Sequence, residues 1–133
     1  MQAIKFVREN NIPFLGICFG MQLAVIEATR NLLGLQEAST TEFGATTHPV
    51  VYLLTKWAKE SKIEERDENS QLGGTMRLGS YPCLIQKDSL AYKIYGKEMI
   101  YERHRHRYEI NKDYKEALEK VGLVFSGFSP DLL

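Results

Sequence analysis

The chain has 133 residues, with basic and acidic side chains in equal number, 44% hydrophobic and 26% charged. That is the length of about one domain, with enough apolar material to bury about two thirds of its unfolded surface. Zero net charge gives no reason for a nucleic-acid or membrane partner, no apolar run has the length of a membrane span, MQAIKFVREN does not read as a signal peptide, and two cysteines make no disulfide framework, so a reducing cytoplasm is the expected compartment.

Met1–Asn10 reads as a short helix, with Ala3, Ile4, Phe6 and Val7 as its apolar stripe and Lys5, Arg8 and Glu9 in water. Asn10-Asn11 ends it, and Pro13 forbids its continuation. Ile12–Ile17 is a nearly unbroken apolar run, the pattern of a strand covered on both faces. Cys18 follows, with Gly16 two positions before it and Gly20 two after, and then a helical pattern from Met21 to Leu33 closed by Gly34. Strand, tight turn with a nucleophile at its tip, and helix are the layout of a nucleophile elbow, with sulfur in place of a serine oxygen. The glycines let strand and helix approach closely on both flanks of the turn. The helix start aims backbone N–H groups and a positive dipole end at the sulfur, which favours the reactive thiolate. The competing reading is a small buried cysteine in a helix–strand corner. Met21, Ala24, Val25, Ala28 and Leu32 mark one helix face, but Leu23 and Ile26 fall elsewhere, so most of the helix is expected to be buried. Helix, buried strand, helix predicts an α/β layered fold with a largely parallel sheet.

Ser39–Pro49 is polar and turn-like, with Glu42 between Thr41 and Phe43. Val50–Leu54 is a second apolar strand running toward Trp57. Lys59–Asn69 is dense in charge of both signs and reads as a solvated loop. It leads into LGGTMRLG, in which Gly73-Gly74 makes a turn or hinge. Met76–Leu78 and Cys83–Ile85 read as short antiparallel strands interrupted at Pro82. Asp88 can cap a short helix, Ser89–Tyr95, closed by Gly96. Met99–Ile110 reads as one strand with Arg103, Arg105 and Arg107 on one face and His104, His106 and Tyr108 on the other. Asn111 can cap a helix over Lys112–Val121, supported by Glu116 and Lys120 and ended by Gly122. Leu123–Phe125 begins another strand. No repeat, low-complexity segment or clear domain boundary interrupts the chain, so residues 1–133 are read as part of one domain.

The RHRHR run has several readings. Two histidines on one face could hold a metal, but no third ligand with convincing spacing accompanies them. Alternating arginines could grip nucleic acid, but aromatic interleaving is sparse and the rest of the chain is not basic. An anion-recognising arginine in a small-molecule site fits better. The residues alone favour an edge strand with charged pairs. His48 reads as a loop histidine rather than a general base, and Cys83 beside Pro82 as structural. Gly73-Gly74, without a following Lys-Ser/Thr, is a weak phosphate signal.

Together these segments resemble one family. GICFGMQ resembles the nucleophile motif of class I, triad-type glutamine amidotransferases. STTEF (Ser39–Phe43), LGGTMRLG (Leu72–Gly79) and ERHRHRYEIN (Glu102–Asn111), in this order across nearly the whole chain, narrow the resemblance to the glutaminase domain of the CTP synthase family. The resemblance implies a flavodoxin-like glutaminase fold truncated at both ends. It implies hydrolysis of L-glutamine through a cysteine thioester, with ammonia passed to a synthetase domain that aminates UTP to CTP using ATP and Mg²⁺. GTP is implied as an allosteric activator, and homo-oligomers are allowed; no cofactor is expected in this chain.

By position, the resemblance makes Cys18 the nucleophile. The N–H of Phe19 supplies part of the oxyanion hole. Phe19, Gly20, Met21 and Gln22 line the glutamine site, with Glu42 and Arg107 as further contacts. Glu42 suits the α-amino group and Arg107 the carboxylate. Arg66–Met76 resembles the lid loop associated with GTP activation. Two departures stand out. Phe19 replaces the usual Leu, which is tolerable because the backbone acts there. The catalytic His and Glu belong to an HPE segment, and no His-Pro-Glu occurs here: His48-Pro49 is followed by Val50. The chain alone is therefore expected to be inactive, and the contrasting expectation is a non-catalytic remnant that serves as a binding or assembly module.

Overall fold

The computed structural model describes residues 1–53, 56–59, 62–65 and 77–130. The stretch Arg66–Met76, which resembles a lid loop and in which Gly73-Gly74 reads as a turn or hinge, lies outside the described residues. The chain forms two compact units: Met1–Leu53 with Tyr108–Leu123, and Leu54–Arg107 with Val124–Leu133.

In the first unit, α1 (Gln2–Glu9) ends where expected, with the Asn10 N–H returning to the Phe6 carbonyl and Asn11 at φ 53°. Of the expected apolar stripe only Ile4 is buried; Ala3 and Phe6 are exposed. The central buried strand expected over Ile12–Ile17 does not form. The segment is irregular, with Leu15 83% and Ile17 75% exposed, and no described strand pairs with it. A strand exists only through ladder bonds to neighbours, and apolar content alone supplies none.

Helix α2 (Phe19–Leu32) follows and is the packing centre of this unit. Val25, Ile26 and Ala28 are buried, as are Ala38, Val50, Val51 and Leu118. Each such burial contributes about 1.5–3 kcal/mol for a large aliphatic side chain. Met21 and Leu32, expected on the buried face, are exposed. Leu33 ends the helix and Gly34 follows at φ 74°, in its expected capping place. The polar stretch read as a turn contains β1 (Ala38–Thr40) and a 3₁₀ turn over Thr41–Phe43. β1 runs parallel to β2 (His48–Leu53), which pairs antiparallel with β7 (Tyr108–Ile110). The Arg30 side chain donates to the Ala38 carbonyl at 2.6 Å, tying α2 to the end of β1. Asn111 accepts from the Asp113 N–H and donates to the Pro49 carbonyl, starting a 3₁₀ turn that continues as α4 (Lys115–Lys120). The expected Glu116–Lys120 pair forms at 2.6 Å.

In the second unit, β3 (Lys56–Lys59) and β4 (Lys62–Glu65) form an antiparallel hairpin, and β4 lies inside the stretch Lys59–Asn69 read as a charged loop. β5 (Arg77–Ile85) is one continuous strand, not two. Pro82 is accommodated because β8 (Gly127–Phe128) pairs with β5 only at Leu84 and Ile85, so on that side of β5 the described residues form no ladder at Pro82 for it to break. α3 (Leu90–Tyr95) is capped by Ser89, whose Oγ accepts from the Tyr92 N–H, rather than by Asp88 one position earlier, and Gly96 closes it at φ 63°. The long strand splits: β6 (Met99–His106) pairs with β5, the chain bends at Arg107, and β7 joins the other unit's sheet. Within β6 the alternation holds, with His104 and His106 half-buried and Arg103 and Arg105 exposed. Leu123–Phe125 forms no strand; β8 lies two residues further on. The class is α/β as expected, but the described ladders are mixed and only β1–β2 is parallel.

Gly79 sits within β5 at φ 108°, opposite His104. No neighbour crowds it, so its requirement is conformational. Gly79→Ala is expected to cost about 1–2 kcal/mol through left-handed backbone strain, read as a lower urea midpoint with unchanged m-value. An unshifted midpoint would show that the strand relaxes there without penalty.

Candidate active site

The turn and helix of the expected elbow form, without the strand expected to lead into them. Cys18 is exposed at the N-cap of α2, with φ 52° and ψ −111°, a conformation L residues rarely adopt. Such strain persists only where the surroundings hold it, and it is characteristic of functional turns. The hold is visible. The Gly20 N–H donates to the Ile17 carbonyl at 3.0 Å and the Gln22 N–H to the Cys18 carbonyl at 3.2 Å. A Cβ on Gly16 would lie 2.8 Å from the Met21 nitrogen and 2.9 Å from the Gly20 carbonyl carbon and oxygen. Gly16 is thus required by close approach of backbone to backbone. Gly20, expected to share that duty, would place a Cβ in open space, with nothing within 4 Å, so that expectation is corrected: the squeeze is on the N-terminal flank of the turn alone.

A further segment meets this turn in the same unit. The Phe19 ring packs edge-on against Phe43, with centroids 6.0 Å apart. That contact brings the 3₁₀ turn carrying Glu42 beside the nucleophile. Glu42 is exposed, and its N–H is held by the Thr40 hydroxyl at 3.2 Å, so the turn is fixed through its backbone. The sequence marks Phe43 only as a neighbour of Glu42; the available signal is one aromatic beside the nucleophile and another beside the carboxylate.

Gln22 is placed differently from its expected neighbours. It is only 6% exposed, and its Nε2 donates to the Tyr108 carbonyl at 3.0 Å, tying α2 to β7. Phe19 and Met21 are exposed. Arg107 is half-buried at the bend after β6 and belongs to the second unit. His48 opens β2 and lies 3.5 Å from the Tyr114 hydroxyl through Nδ1. Cys83 is half-buried in β5, and burial pushes its thiol up, away from the reactive form. Among the described residues no group of three His, Cys, Asp or Glu could hold a metal ion, and no helix is long and apolar enough to cross a membrane.

An exposed cysteine at a strained turn into a helix, with first-turn amides beside it and a carboxylate-bearing turn at its flank, can attack an electrophilic carbon and stabilise the resulting oxyanion. The family model for glutamine amidotransferase class-I matches residues 1–131. CTP synthases of Gluconacetobacter diazotrophicus and Agrobacterium fabrum are 59% and 56% identical to the chain over 131 residues, which is 98% of the chain and 24% of each relative. The chain thus spans about a quarter of the length of these curated relatives. The glutaminase domain of the Trypanosoma brucei CTPS, solved with bound acivicin, matches with a TM-score of 0.82 at 38% identity, covering 98% of this chain and 47% of that one.

Proposed function

Since the chain belongs to the class-I glutamine amidotransferase family, we propose that it is a glutaminase portion of a CTP synthase, with Cys18 as nucleophile. The observation that carries this reading is the strained, exposed Cys18 at the start of α2. The Cys18 thiolate attacks the side-chain amide carbon of glutamine, and the oxyanion that forms is met by the Phe19 N–H. Collapse breaks the C–N bond, releases ammonia and leaves a glutamyl thioester, which water hydrolyses to glutamate. Gly20 and Met21 line the bound glutamine. Glu42 holds its α-amino group, and Gln22 steadies the start of α2 through its bond to the Tyr108 carbonyl. In the whole enzyme the ammonia would serve a synthetase domain using UTP, ATP and Mg²⁺, with GTP as activator.

Turnover by this chain alone is expected to be negligible. The leaving ammonia needs a proton and the attacking thiol must lose one, and the HPE histidine that would carry that proton does not occur in the sequence. Loss of a triad base typically costs several orders of magnitude in rate. A second reading, an assembly module for a full-length enzyme, is favoured by the exposed apolar side chains between Ile12 and Ile17. Co-purification with such an enzyme supports it, and lack of binding at micromolar concentration removes it.

The test is intact mass and peptide mapping after exposure to acivicin. Selective labelling of Cys18, slowed by L-glutamine, is the expected result, with Cys83 spared because burial disfavours its thiolate. Equal labelling of both cysteines, or no protection by glutamine, would overturn the assigned site. In a full-length enzyme Glu42→Ala should raise the KM for glutamine more than it lowers kcat; an unchanged KM would remove Glu42 from the site.

A further inference from the structure

One face of the β5–β6 hairpin carries a cluster that the glutaminase chemistry does not use. The register sets Arg77 opposite His106, Gly79 opposite His104 and Tyr81 opposite Glu102. His104 Nδ1 and His106 Nε2 lie 2.7 Å apart, and the ring centroids 5.0 Å apart. His104 stands edge-on to Tyr81 at 5.5 Å. The guanidinium of Arg77 lies 4.7 Å over the same Tyr81 ring, is buried, and donates to the Ser129 hydroxyl at 2.9 Å.

A nitrogen–nitrogen contact of this length needs one ring to donate and the other to accept, so at least one imidazole is neutral. Two imidazolium rings would face donor to donor, as two positive charges beside the permanent charge of Arg77. Tyr81 contributes a neutral ring. Glu102, the carboxylate that acts on His104, is exposed and already accepts a hydrogen bond from the Tyr95 hydroxyl at 3.0 Å, which limits its power to compensate.

We propose that His104 and His106 form an acid-released latch: at neutral pH they share one hydrogen bond along β6 and pack against Tyr81 and Arg77 of β5, and protonation of both rings adds charge beside Arg77 and opens the last rungs of the β5–β6 ladder. Burial first, then the charges of His106 and Arg77, push His104 from 6.5 down to about 4 against the pull of Glu102. An unfolded chain binds this proton near its ordinary value and the latched hairpin does not. The stability contributed by the latch is therefore complete above about pH 6.5 and is lost as pH falls toward about 4. The latch sits one residue before the bend at Arg107, so its opening frees the backbone at the exit of the hairpin.

The experiment is NMR of the whole chain with labelled histidines, from about pH 7.5 to about pH 4, with amide hydrogen exchange followed in parallel. The His104 ring should stay neutral well below its ordinary titration range, and protection of the Arg77 and His106 amides should fall about tenfold or more over the acid limb while that of α2 amides persists. His104→Phe keeps an aromatic ring against Tyr81 and removes the proton site, so its exchange at Arg77 and His106 should lose the acid step. A His104 ring titrating at its ordinary value, or an acid step that survives in the variant, overturns the latch. Should His104→Phe not fold, the titration of the unaltered chain decides alone.

Discussion

Gly16→Ala is expected to dismantle the elbow, while Gly20→Ala leaves the fold intact. The added methyl at position 16 would meet three backbone atoms of Gly20 and Met21 at 2.8–2.9 Å. Backbone cannot swing aside as a flexible side chain would, so the start of α2 must move. Overpacking of this kind costs about 1–3 kcal/mol. The shift would fall on the residue whose geometry matters most, because the close contacts at Gly16 and the backbone hydrogen bonds across the turn together hold Cys18 at its strained φ and ψ. Acivicin labelling of Cys18 should therefore slow at least about tenfold, equivalent to about 1.4 kcal/mol at the transition state. At position 20 the methyl meets nothing within 4 Å and gains helix propensity, so stability should hold or rise by up to about 1 kcal/mol. Urea melts of the two variants check the contrast. Equal destabilisation would mean that the two flanks of the turn carry the same constraint.

Arg8→Ala should produce a large loss of stability in the first unit. Glu27 is 1% exposed, and its carboxylate accepts three hydrogen bonds from Arg8 at 2.9–3.1 Å and one from Asn31 at 3.0 Å. Removing the guanidinium leaves a buried carboxylate with only amide support. Breaking a fully buried pair costs about 3–5 kcal/mol; because Arg8 is partly exposed and water can reach the vacated place, about 2–3 kcal/mol is expected. The surroundings include Ile4, Val7, Ala24 and Ala28 around a cavity of about 450 Å³, which favours an apolar replacement. Arg8→Ala combined with Glu27→Leu should therefore recover most of the loss. A double variant no better than Arg8→Ala would show that the pair is held for its geometry, as the clamp of α1 on α2, and not merely as a satisfied charge.

Local features were legible from the residues alone because their causes lie within a few positions of each other. The Cys18 turn between glycines, the helix that follows it, the Asn111 cap and the Glu116–Lys120 pair each depend on near neighbours, and each formed. The alternation of His104 and His106 against Arg103 and Arg105 is likewise set by the pleat of one strand. The ordered motifs also sufficed to name the family, since they report chemistry at fixed positions and not packing.

Ladders were not legible, because a strand is completed by hydrogen bonds from residues far away in sequence. Ile12–Ile17 has strand composition and no described partner, whereas the charged Lys62–Glu65 has a partner in Lys56–Lys59 and is a strand. Pro82 reads as a break, yet the described residues form no ladder on its outer side and β5 runs through it. The run from Met99 to Ile110 has one uninterrupted pattern, but its two ends pair with different partners, β5 and β2, and the chain must bend at Arg107 to reach both. Gln22 shows the same division within the site. Its position in the motif follows from sequence, but its burial against the Tyr108 carbonyl depends on β7 arriving from 86 residues away.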